Sequence, residues 1–356
     1  MKILIDLSKV GKFPQELMEK IVYPRLGKKR REVLVGPHHG LDNAVVRLGH
    51  NQVLVVTSDP LSVIPALGLQ DSAWLSVHLL SSDLSTCGFP PQFIMVNFSL
   101  PPHMKDEEFE EYWDAFHREC NKLGVAILGG HTGRYVGSDY TIIGGGVMMT
   151  LAPEDRYLSS NMARPGDSVV MTKGVAIATT GILSRTFPKT VEKTYGSSFL
   201  KRAQSHFYEF STVKDALVAA SVGLRDEGVT AMHDVTEGGL LGAICELTQA
   251  SKVGIEVDLS NVIVTNEAKL ICDLFDLDPY VTLSEGTLII TVKPEKTQEV
   301  LKSLESNRIR AKIIGKIMNK QHGRWIKKNG EREQLKKPAT DPYWKAYWKS
   351  LQEGWG

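Results

Sequence analysis

The sequence is poor in cysteine and has no closely spaced cysteine pair. The four present are widely scattered, at Cys87, Cys120, Cys245 and Cys272. Without a C-x-x-C pair, this spacing suits neither a zinc knuckle nor a disulfide-stabilised secreted domain. Scattered thiols are typical of a reducing compartment, so we expect a cytoplasmic protein.

Long apolar runs and an excess of either charge are also absent. No run reaches the ~18 apolar residues that a membrane span needs, and the chain reaches Asp6 too early for a signal peptide. Lysine and arginine total 42, against 41 aspartates and glutamates. Because so balanced a chain has no overall field that attracts nucleic acid or an anionic membrane, we expect neither as a partner.

The composition favours a globular protein with two domains. The 356 residues are 42% hydrophobic, which is enough for real hydrophobic cores. Strand-like and helix-like segments alternate, which predicts an α/β or α+β fold, and a turn-rich segment at 152–166 predicts a domain boundary. The predicted organisation is an N-terminal lead at 1–32, a first domain at 33–152, a second domain at 164–320 and an aromatic tail at 321–356.

Three aspartates of the first domain lie next to apolar sequence at the ends of predicted elements. Asp42 lies in a loop rich in glycine, proline and histidine, Asp59 follows a buried strand at 53–56, and Asp83 lies at the end of a helix at 71–82. Residues at such positions present side chains rather than build a core. The three aspartates are therefore candidate site residues.

Two glycine pairs mark further candidate sites. The first, Gly129–Gly130, ends a strand that begins at Val125 and leaves His131 and Thr132 exposed beyond it. The second, Gly238–Gly239, opens an apolar helix.

The second glycine pair is interpreted as a helix start that faces an anion. Thr236 or Asp234 can cap the first turn, and the two glycines allow another backbone or a phosphate to approach closely. The alternative is an ordinary capped helix, since a glycine pair at a helix start is a weak motif. His233, beside Asp234, is a candidate proton carrier.

Seven motifs follow one another in a characteristic order. They are Gly-x-Asp-x-Ala-Val at 40–45, Thr-Ser-Asp at 57–59, Ser-Asp-Leu at 82–84, Leu-Gly-Gly-x-Thr at 128–132, Lys-Gly at 173–174, His-Asp-x-Thr-x-Gly-Gly-Leu at 233–240 and Ser-Glu-Gly-Thr-Leu at 284–288. The ordered set resembles the aminoimidazole ribonucleotide (AIR) synthase superfamily, or PurM-like proteins, and within it the HypE type of hydrogenase maturation protein. It covers residues from about 33 to 317, and is far more specific than any single motif.

The resemblance implies a two-domain PurM-like fold and a homodimer. In such proteins the four-stranded sheet of the N-terminal domain pairs with the same sheet of a second subunit in a barrel, and a C-terminal α/β domain follows. ATP lies in a cleft where acids hold Mg²⁺, which prefers oxygen ligands and so suits carboxylates. The implied metal ligands are Asp42, Asp59 and Asp83.

The same resemblance assigns the other candidates. The residues expected to contact ATP or its metal are Gly40, Asp42, Asp59, Asp83, Gly129, Gly130, Thr132, Thr236, Gly238 and Gly239. The expected catalytic residues are His131, His233 and Asp234. The implied reaction is ATP-dependent phosphorylation of a carbonyl, amide or related oxygen of a small molecule, in which the cation and helix-start amides stabilise the transferred group.

The chain departs from its superfamily at two positions that carry metal ligands. One acid, Asp42, follows Leu41 where relatives often carry two, and His131 stands where they carry an acid. Either fewer ions bind or His131 contacts phosphate or substrate, and a purely structural histidine is the alternative. A HypE-like maturation or nucleotide-binding protein with a protein partner and reduced catalysis is therefore the second hypothesis.

The tail departs as well. HypE-type proteins carry a terminal cysteine that accepts a carbamoyl group, but the last cysteine here is Cys272 and the sequence ends in Glu353–Gly356. We therefore expect no self-modification, and a free small molecule as substrate.

For the aromatic stripe of the tail, packing is favoured over a partner groove. The stripe comprises Tyr343, Trp344, Tyr347, Trp348 and Leu351. The basic run Lys28–Arg31 is interpreted as solvated surface, with steering of ATP phosphates as the alternative.

Overall fold

The structure, a computed structural model, describes residues 10–356 and contains two β-sheets flanked by helices. The first sheet has the strand order β1-β2-β3-β6-β4-β5. Its strands are β1 (Val33–Val35), β2 (Ala44–Gly49), β3 (Gln52–Ser62), β4 (Phe93–Leu100), β5 (Ala126–Arg134) and β6 (Ile142–Pro153). These six strands correct the four that the resemblance implied, because the segment before Ala44 contributes β1 and the glycine-rich segment 126–134 pairs in parallel with β4.

Helices cover one face of the first sheet. The short α1 (Gln15–Leu17), continued by a π-helical turn at Met18–Val22, precedes the sheet, and α2 (Gly68–Ser85) and α3 (Asp106–Lys122) pack on it. The core between them is fully buried: Val55, Phe98 and Tyr112 are 0% exposed. Burial of this apolar surface stabilises the domain by roughly 25 cal/mol for each Å² removed from water.

The second sheet has seven strands in the order β13-β12-β9-β11-β7-β10-β8. They are β7 (Ser168–Thr172), β8 (Val229–Val235), β9 (Gly254–Asp258), β10 (Thr287–Val292), β11 (Ala311–Met318), β12 (Arg324–Lys328) and β13 (Glu331–Gln334). The helices around it are α4 (Ile177–Thr186), α5 (Pro188–Tyr195), α6 (Ser197–Ser205), α7 (Val213–Ala220), α8 (Gly239–Ala250), α9 (Asn266–Leu274), α10 (Thr297–Ser306) and α11 (Pro342–Gln352). Alternation along β7 places Val169 and Met171 in the core under α8 and Val170 in the core under α7 and α10.

Strand β3 continues past Asp59, for which the sequence predicts a position after the strand. The pairing with β2 reaches only Val56, so from Thr57 onward β3 has β6 on one side alone. Pro60, which lacks an N–H, is tolerated in a stretch that resembles an edge strand. Asp59 therefore projects from within a strand.

Gly129 and Gly130 likewise lie inside a strand rather than at its end. Strand β5 runs through both glycines and pairs with β4, with a register shift between Ile94 and Met95. Gly130 has a φ of 149°, and a Cβ there would lie 1.6 Å from the carbonyl oxygen of Val96. Strand pairing itself thus requires glycine at this position.

The segment predicted as a separate tail from residue 321 begins inside the second sheet. Strand β12 pairs in parallel with β9, and β13 pairs with β12. Helix α11 follows and packs its aromatic side chains on the second domain, where Tyr343 is 2% exposed and joins the cluster around Phe187. The Trp355 ring lies 5.1 Å from that of Phe275. Packing is therefore confirmed as a role of the aromatic stripe.

The cysteines and the basic run lie as expected. All four cysteines are free and buried. Lys28–Arg31 is exposed along its whole length, in agreement with a solvated surface. Within residues 10–356, no helix combines the length and the apolar character needed to cross a membrane.

Candidate functional site

The candidate site lies where β8 of the second sheet meets the first domain. Strand β8 is the outermost strand of its sheet, yet all of its residues are buried, because α2 of the first domain packs against it. This packing brings His233 and Asp234 of β8 to Asp42, in the loop before β2, and to Asp83, in the last turn of α2. The site is therefore shared by both domains.

Four aspartates converge there. One ligand atom each of Asp42, His233 and Asp234 lies within 4.8 Å of the others, and Asp83 lies close enough to Asp234 for each carboxyl to shift the pKa of the other. The Thr57 hydroxyl donates to the Asp42 carbonyl oxygen at 2.8 Å and to Asp83 Oδ2 at 3.3 Å, which ties the two segments together. Asp59, the third predicted metal ligand, lies near enough to raise the pKa of Asp83.

The aspartates repel one another in the absence of a cation. Burial and repulsion from the neighbouring aspartates raise the pKa of Asp83 well above its usual range. Burial raises the pKa of Asp234 to about 7 and the pKa of Asp59 to about 6. Such clustered acids with raised pKa values are typical of functional sites and of sites that a cation neutralises.

His233 is an orienting group rather than a ligand. Its Nδ1 lies 2.6 Å from Asp42 Oδ1 and its Nε2 lies 3.4 Å from Glu246 Oε2. Burial lowers the pKa of His233, but attraction to Asp42 and Glu246 outweighs burial and raises it to about 10. An imidazolium protonated on both nitrogens cannot bind a metal and is a poor base at neutral pH, which argues against the predicted role as proton carrier.

Glu246 is a site residue that the sequence reasoning missed. It is the only charged residue in the stretch 239–247 of α8, and its side chain is only 5% exposed. Burial raises the pKa of Glu246, but His233 and Lys12 outweigh burial and lower it below its usual range. A lone carboxylate on an otherwise apolar helix is the sequence signal that could have identified it, since buried charges are retained only with partners.

The partners of Glu246 come from both ends of the chain. Lys12 Nζ lies 3.2 Å from Glu246 Oε2, and Lys337 Nζ lies 3.9 Å from Oε1. Burial lowers the pKa of His39 to about 4, so the neutral ring accepts a hydrogen bond at Nε2 from Lys337 Nζ, 2.5 Å away. Gly40 beside it has a φ of 81°, and a Cβ there would lie 2.7 Å from the carbonyl oxygen of Glu246. The loop that carries Asp42 is thus docked directly on α8.

The first turn of α8 is capped from the tail. Asp341 Oδ2 accepts a hydrogen bond from the Gly238 N–H at 2.7 Å, while Oδ1 accepts one from the Tyr343 N–H at 2.8 Å. No residue of the preceding loop caps the helix through its side chain, which corrects the predicted cap by Thr236 or Asp234. The amide of Gly238 therefore meets a carboxylate of its own chain.

Position 239 requires glycine because another part of the backbone lies very close to it. Its φ is 58°, and a Cβ there would lie 2.8 Å from the carbonyl oxygens of Tyr280 and Thr282. The sequence left open whether another backbone or a phosphate approaches this glycine. The structure shows a neighbouring backbone there.

Glu285, in the Ser-Glu-Gly motif, adds a carboxyl to which the sequence analysis gave no role. Its Oε2 is buried and has no hydrogen-bond partner among residues 10–356. Burial raises the pKa of Glu285 well above its usual range, and Glu237, Asp341 and Asp234 contribute to the shift, which places Glu285 beside the site. A carboxyl whose pKa is raised in this way is better suited to act as a general acid.

His131 and Thr132 lie far from the aspartates within one chain. Both are exposed on β5, which stands four strand positions from β2 in the first sheet. At about 4.8 Å for each strand spacing, β2 and β5 are roughly 19 Å apart, and β3, which carries Asp59, is roughly 14 Å from β5. His131 Nε2 instead lies 2.6 Å from the Tyr135 hydroxyl oxygen.

Family models match most of the chain. The model for the AIR synthase related protein, N-terminal domain, matches residues 40–150. The model for the C-terminal domain of the same family matches residues 164–328. The resemblance that the motifs indicated is therefore confirmed.

Relatives and solved structures agree with the family models. The chain is 24% identical to the carbamoyl dehydratase HypE of Rhizobium leguminosarum bv. viciae, over 79% of this chain and 80% of the relative. It is also 24% identical to the selenide, water dikinase of Carboxydothermus hydrogenoformans, over 80% and 85%. Both relatives are enzymes, as expected of this chain from its motifs.

Two solved structures share the fold. A HypE–HypF complex matches with a TM-score of 0.71 and 19% identity, over 90% of this chain and 99% of that one. A HypE in complex with ATP matches with a TM-score of 0.66 and 19% identity, over 92% and 96%. These matches confirm the two-domain PurM-like fold.

Proposed function

Because the chain belongs to the AIR synthase related family, we propose that it is an ATP- and Mg²⁺-dependent enzyme. Its reaction is the phosphorylation of a carbonyl, amide or related oxygen of a small molecule. The observation that carries the proposal is the convergence of four aspartates from both domains, three of which have raised pKa values. Four acids held together need a cation, and the cation in turn attracts phosphate oxygens.

The donor set fits Mg²⁺. Carboxylate oxygens from Asp42, Asp59, Asp83 and Asp234 are hard ligands, which Mg²⁺ prefers, whereas the softer imidazole of His233 suits Mg²⁺ less well and shares its Nδ1 with Asp42. Bound Mg²⁺ would neutralise the phosphate charge of the nucleotide. The aspartates would serve to hold it at the junction of the two domains.

Two other groups of the site have the properties that such a reaction needs. The ammonium group of Lys12 acts on the charge of Asp42, Asp59 and Asp234, so it lies close enough to contribute positive charge beside phosphate oxygens. Glu285, whose pKa burial raises, has the property that a general acid needs for delivering a proton to a leaving oxygen. A role for ATP is further supported by the HypE of the same fold that was solved in complex with ATP.

Calorimetry with a non-hydrolysable ATP analogue tests the proposal. We expect binding only when Mg²⁺ is present, and Asp83→Asn should weaken it by about tenfold or more, because the site loses one of few carboxylates. Asp114→Asn, at an exposed position of α3, is the matched control and should bind as the wild type does. Equal affinity with and without Mg²⁺, or an unchanged affinity of Asp83→Asn, would contradict the metal assignment.

A second candidate function is a nucleotide-binding protein with reduced catalysis that acts through a protein partner. It is favoured by the single acid of the first loop, the separation of His131 from the aspartates, and the HypE of the same fold solved with HypF. ATP turnover with carbonyl and amide compounds separates the two functions. Nucleotide binding without turnover of any compound would favour the second.

A further inference from the structure

The buried carboxylate of Glu246 is the centre of a charge network that ordinary packing does not require. Its helix buries Leu240, Ile244 and Leu247 completely, so an apolar residue at 246 would fit the same environment. A charge at this depth costs several kcal/mol unless partners compensate it. The chain compensates Glu246 with Lys12, His233 and a more distant Lys337.

The network leads to one aspartate of the site. Glu246 Oε2 lies 3.4 Å from His233 Nε2, a charge contact without hydrogen-bond geometry, and Nδ1 of the same ring shares a hydrogen bond of 2.6 Å with Asp42 Oδ1. The other oxygen of that aspartate, Oδ2, accepts a hydrogen bond from the Ser160 hydroxyl at 3.0 Å. With a donor on each oxygen, the carboxylate of Asp42 has a fixed orientation.

We propose that Glu246 is a positioning residue of the Mg²⁺–ATP site, which orients Asp42 through His233, and that Lys12 and Lys337 hold Glu246 in place. The inference rests on the proposed function, because Asp42 is there a metal ligand. Partners behind a metal ligand fix its direction and its basicity, and their loss typically costs ~10–100-fold in metal affinity. The chain of contacts ends at two lysines that lie outside the residues matched by the family models.

The two lysines make the lead and the tail parts of the site. Lys12 lies in the lead, where its backbone N–H also donates to Glu237 Oε2 at 2.6 Å. Lys337 follows β13 and donates to Gln15 Oε1 at 3.1 Å, so the lead and the tail contact each other beside Glu246. Their ammonium groups offset the negative charge that Glu246 adds next to the aspartates.

The experiment measures Mn²⁺ binding in the presence of a non-hydrolysable ATP analogue, with full-length variants that circular dichroism shows to be folded. Glu246→Gln keeps the shape of the side chain and should weaken Mn²⁺ binding ~10–100-fold. Lys337→Ala removes a partly exposed partner and should weaken it about 2–5-fold. Lys336→Ala, an exposed neighbour on the same segment, is the matched control and should leave the affinity unchanged.

Two further readouts separate positioning from a purely structural role. The electron paramagnetic resonance spectrum of bound Mn²⁺ should change in Glu246→Gln, because Asp42 meets the ion at a different angle. In a double-mutant cycle, Glu246→Gln and His233→Asn should not add, since one acts through the other, whereas Glu246→Gln and Asp59→Asn should add.

The outcomes are distinguishable. A folded Glu246→Gln that binds Mn²⁺ with wild-type affinity and an unchanged spectrum would overturn the positioning role. Full additivity with His233→Asn would overturn the route through the imidazole. Failure of the wild-type protein itself to bind Mn²⁺ and the analogue would instead contradict the proposed function.

Discussion

At the scale of single residues, the acids of the site make the fold itself sensitive to pH. Asp59 has a pKa of about 6 in the folded chain, raised by burial from the 3.8 of an exposed aspartate. A group whose folded pKa lies above its unfolded pKa favours the fold while protonated, so its contribution is present below pH 3.8 and is lost as the pH rises through 6. A bound cation removes this loss because it compensates the charge.

Substitution of Asp59 should therefore stabilise the metal-free protein, and more so at higher pH. We expect the melting temperature of Asp59→Asn in EDTA to exceed that of the wild type by about 2 °C or more at pH 7.5. This difference in melting temperature should become steadily smaller as the pH falls to 4.5, because the wild-type carboxyl becomes protonated. Scanning calorimetry at several pH values measures the gap, and exposed Asp114→Asn should show none. A gap that widens toward low pH would contradict the assignment.

Site residues that the sequence could predict are marked by their immediate neighbours in the sequence. Those that it could not predict are defined by contacts with residues far away in the sequence. Asp42, Asp59 and Asp83 end or flank apolar segments, so local pattern singled them out. The contact of Lys12 with Glu246 joins residues 234 positions apart, and that of His39 with Lys337 joins residues 298 apart. No local pattern encodes such pairs, because they arise only when the lead, α8 and the tail are packed together.

At the scale of secondary structure elements, the sequence predicted interiors better than ends. The helices α2 and α3 and the strands β7, β9, β10 and β11 follow from apolar pattern, whereas β8, β12 and β13 were not predicted as strands. The end of β3 was missed because Pro60 is tolerated where β2 no longer pairs, and β5 was cut short because Gly129–Gly130 looks like a terminus. In both cases a neighbouring strand, rather than the segment itself, decides where the strand stops.

The tail of this chain is packed on the second domain. Its last residues are anchored, since the Gly356 carbonyl oxygen accepts a hydrogen bond from the Thr190 N–H at 2.7 Å. No cysteine follows Cys272, and every cysteine of the chain is buried. Burial raises the pKa of Cys87 and of Cys120 to about 12, so these thiols stay protonated and unreactive at neutral pH.

We therefore predict that the 356-residue chain does not modify itself. After incubation with ATP, Mg²⁺ and a carbamoyl-loaded maturation protein, its intact mass should be unchanged. Mass spectrometry checks this, with a HypE that carries a terminal cysteine as the positive control. A gain of one carbamoyl or cyano group would show that a thiol of this chain is accessible after all.

At the scale of the whole molecule, the open face of the first sheet predicts a second copy. The helices α2 and α3 cover one face, while the other leaves Met95, Leu128 and Ile142 about half exposed, at 46%, 56% and 53%. Strand β5 also ends the sheet with an edge that β4 pairs on one side only. Apolar side chains beside an open sheet edge are typical of an interface between subunits.

Light scattering should accordingly give twice the 39.4 kDa of one chain at micromolar concentration. Leu128→Asp should shift the mass toward one chain, because it places a charge on the open face beside the unpaired edge of β5. Leu351→Asp, at an equally apolar and 41% exposed position of the tail, should leave the dimer intact. A single-chain mass for the wild type would argue against the pairing of these sheets.

The contacts between the lead, α8 and the tail also set the order in which the molecule can form. Strands such as β2 and β3 are joined by a turn of a few residues, whereas the contact of Lys12 with Glu246 joins residues that are 234 positions apart in the sequence. Closing long loops costs more entropy and is rewarded only after the parts they join have their shape. Both sheets can therefore be complete while the Glu246 network is still open. The capacity to orient Asp42 would then arise in the last step of folding and be the first to vanish on unfolding.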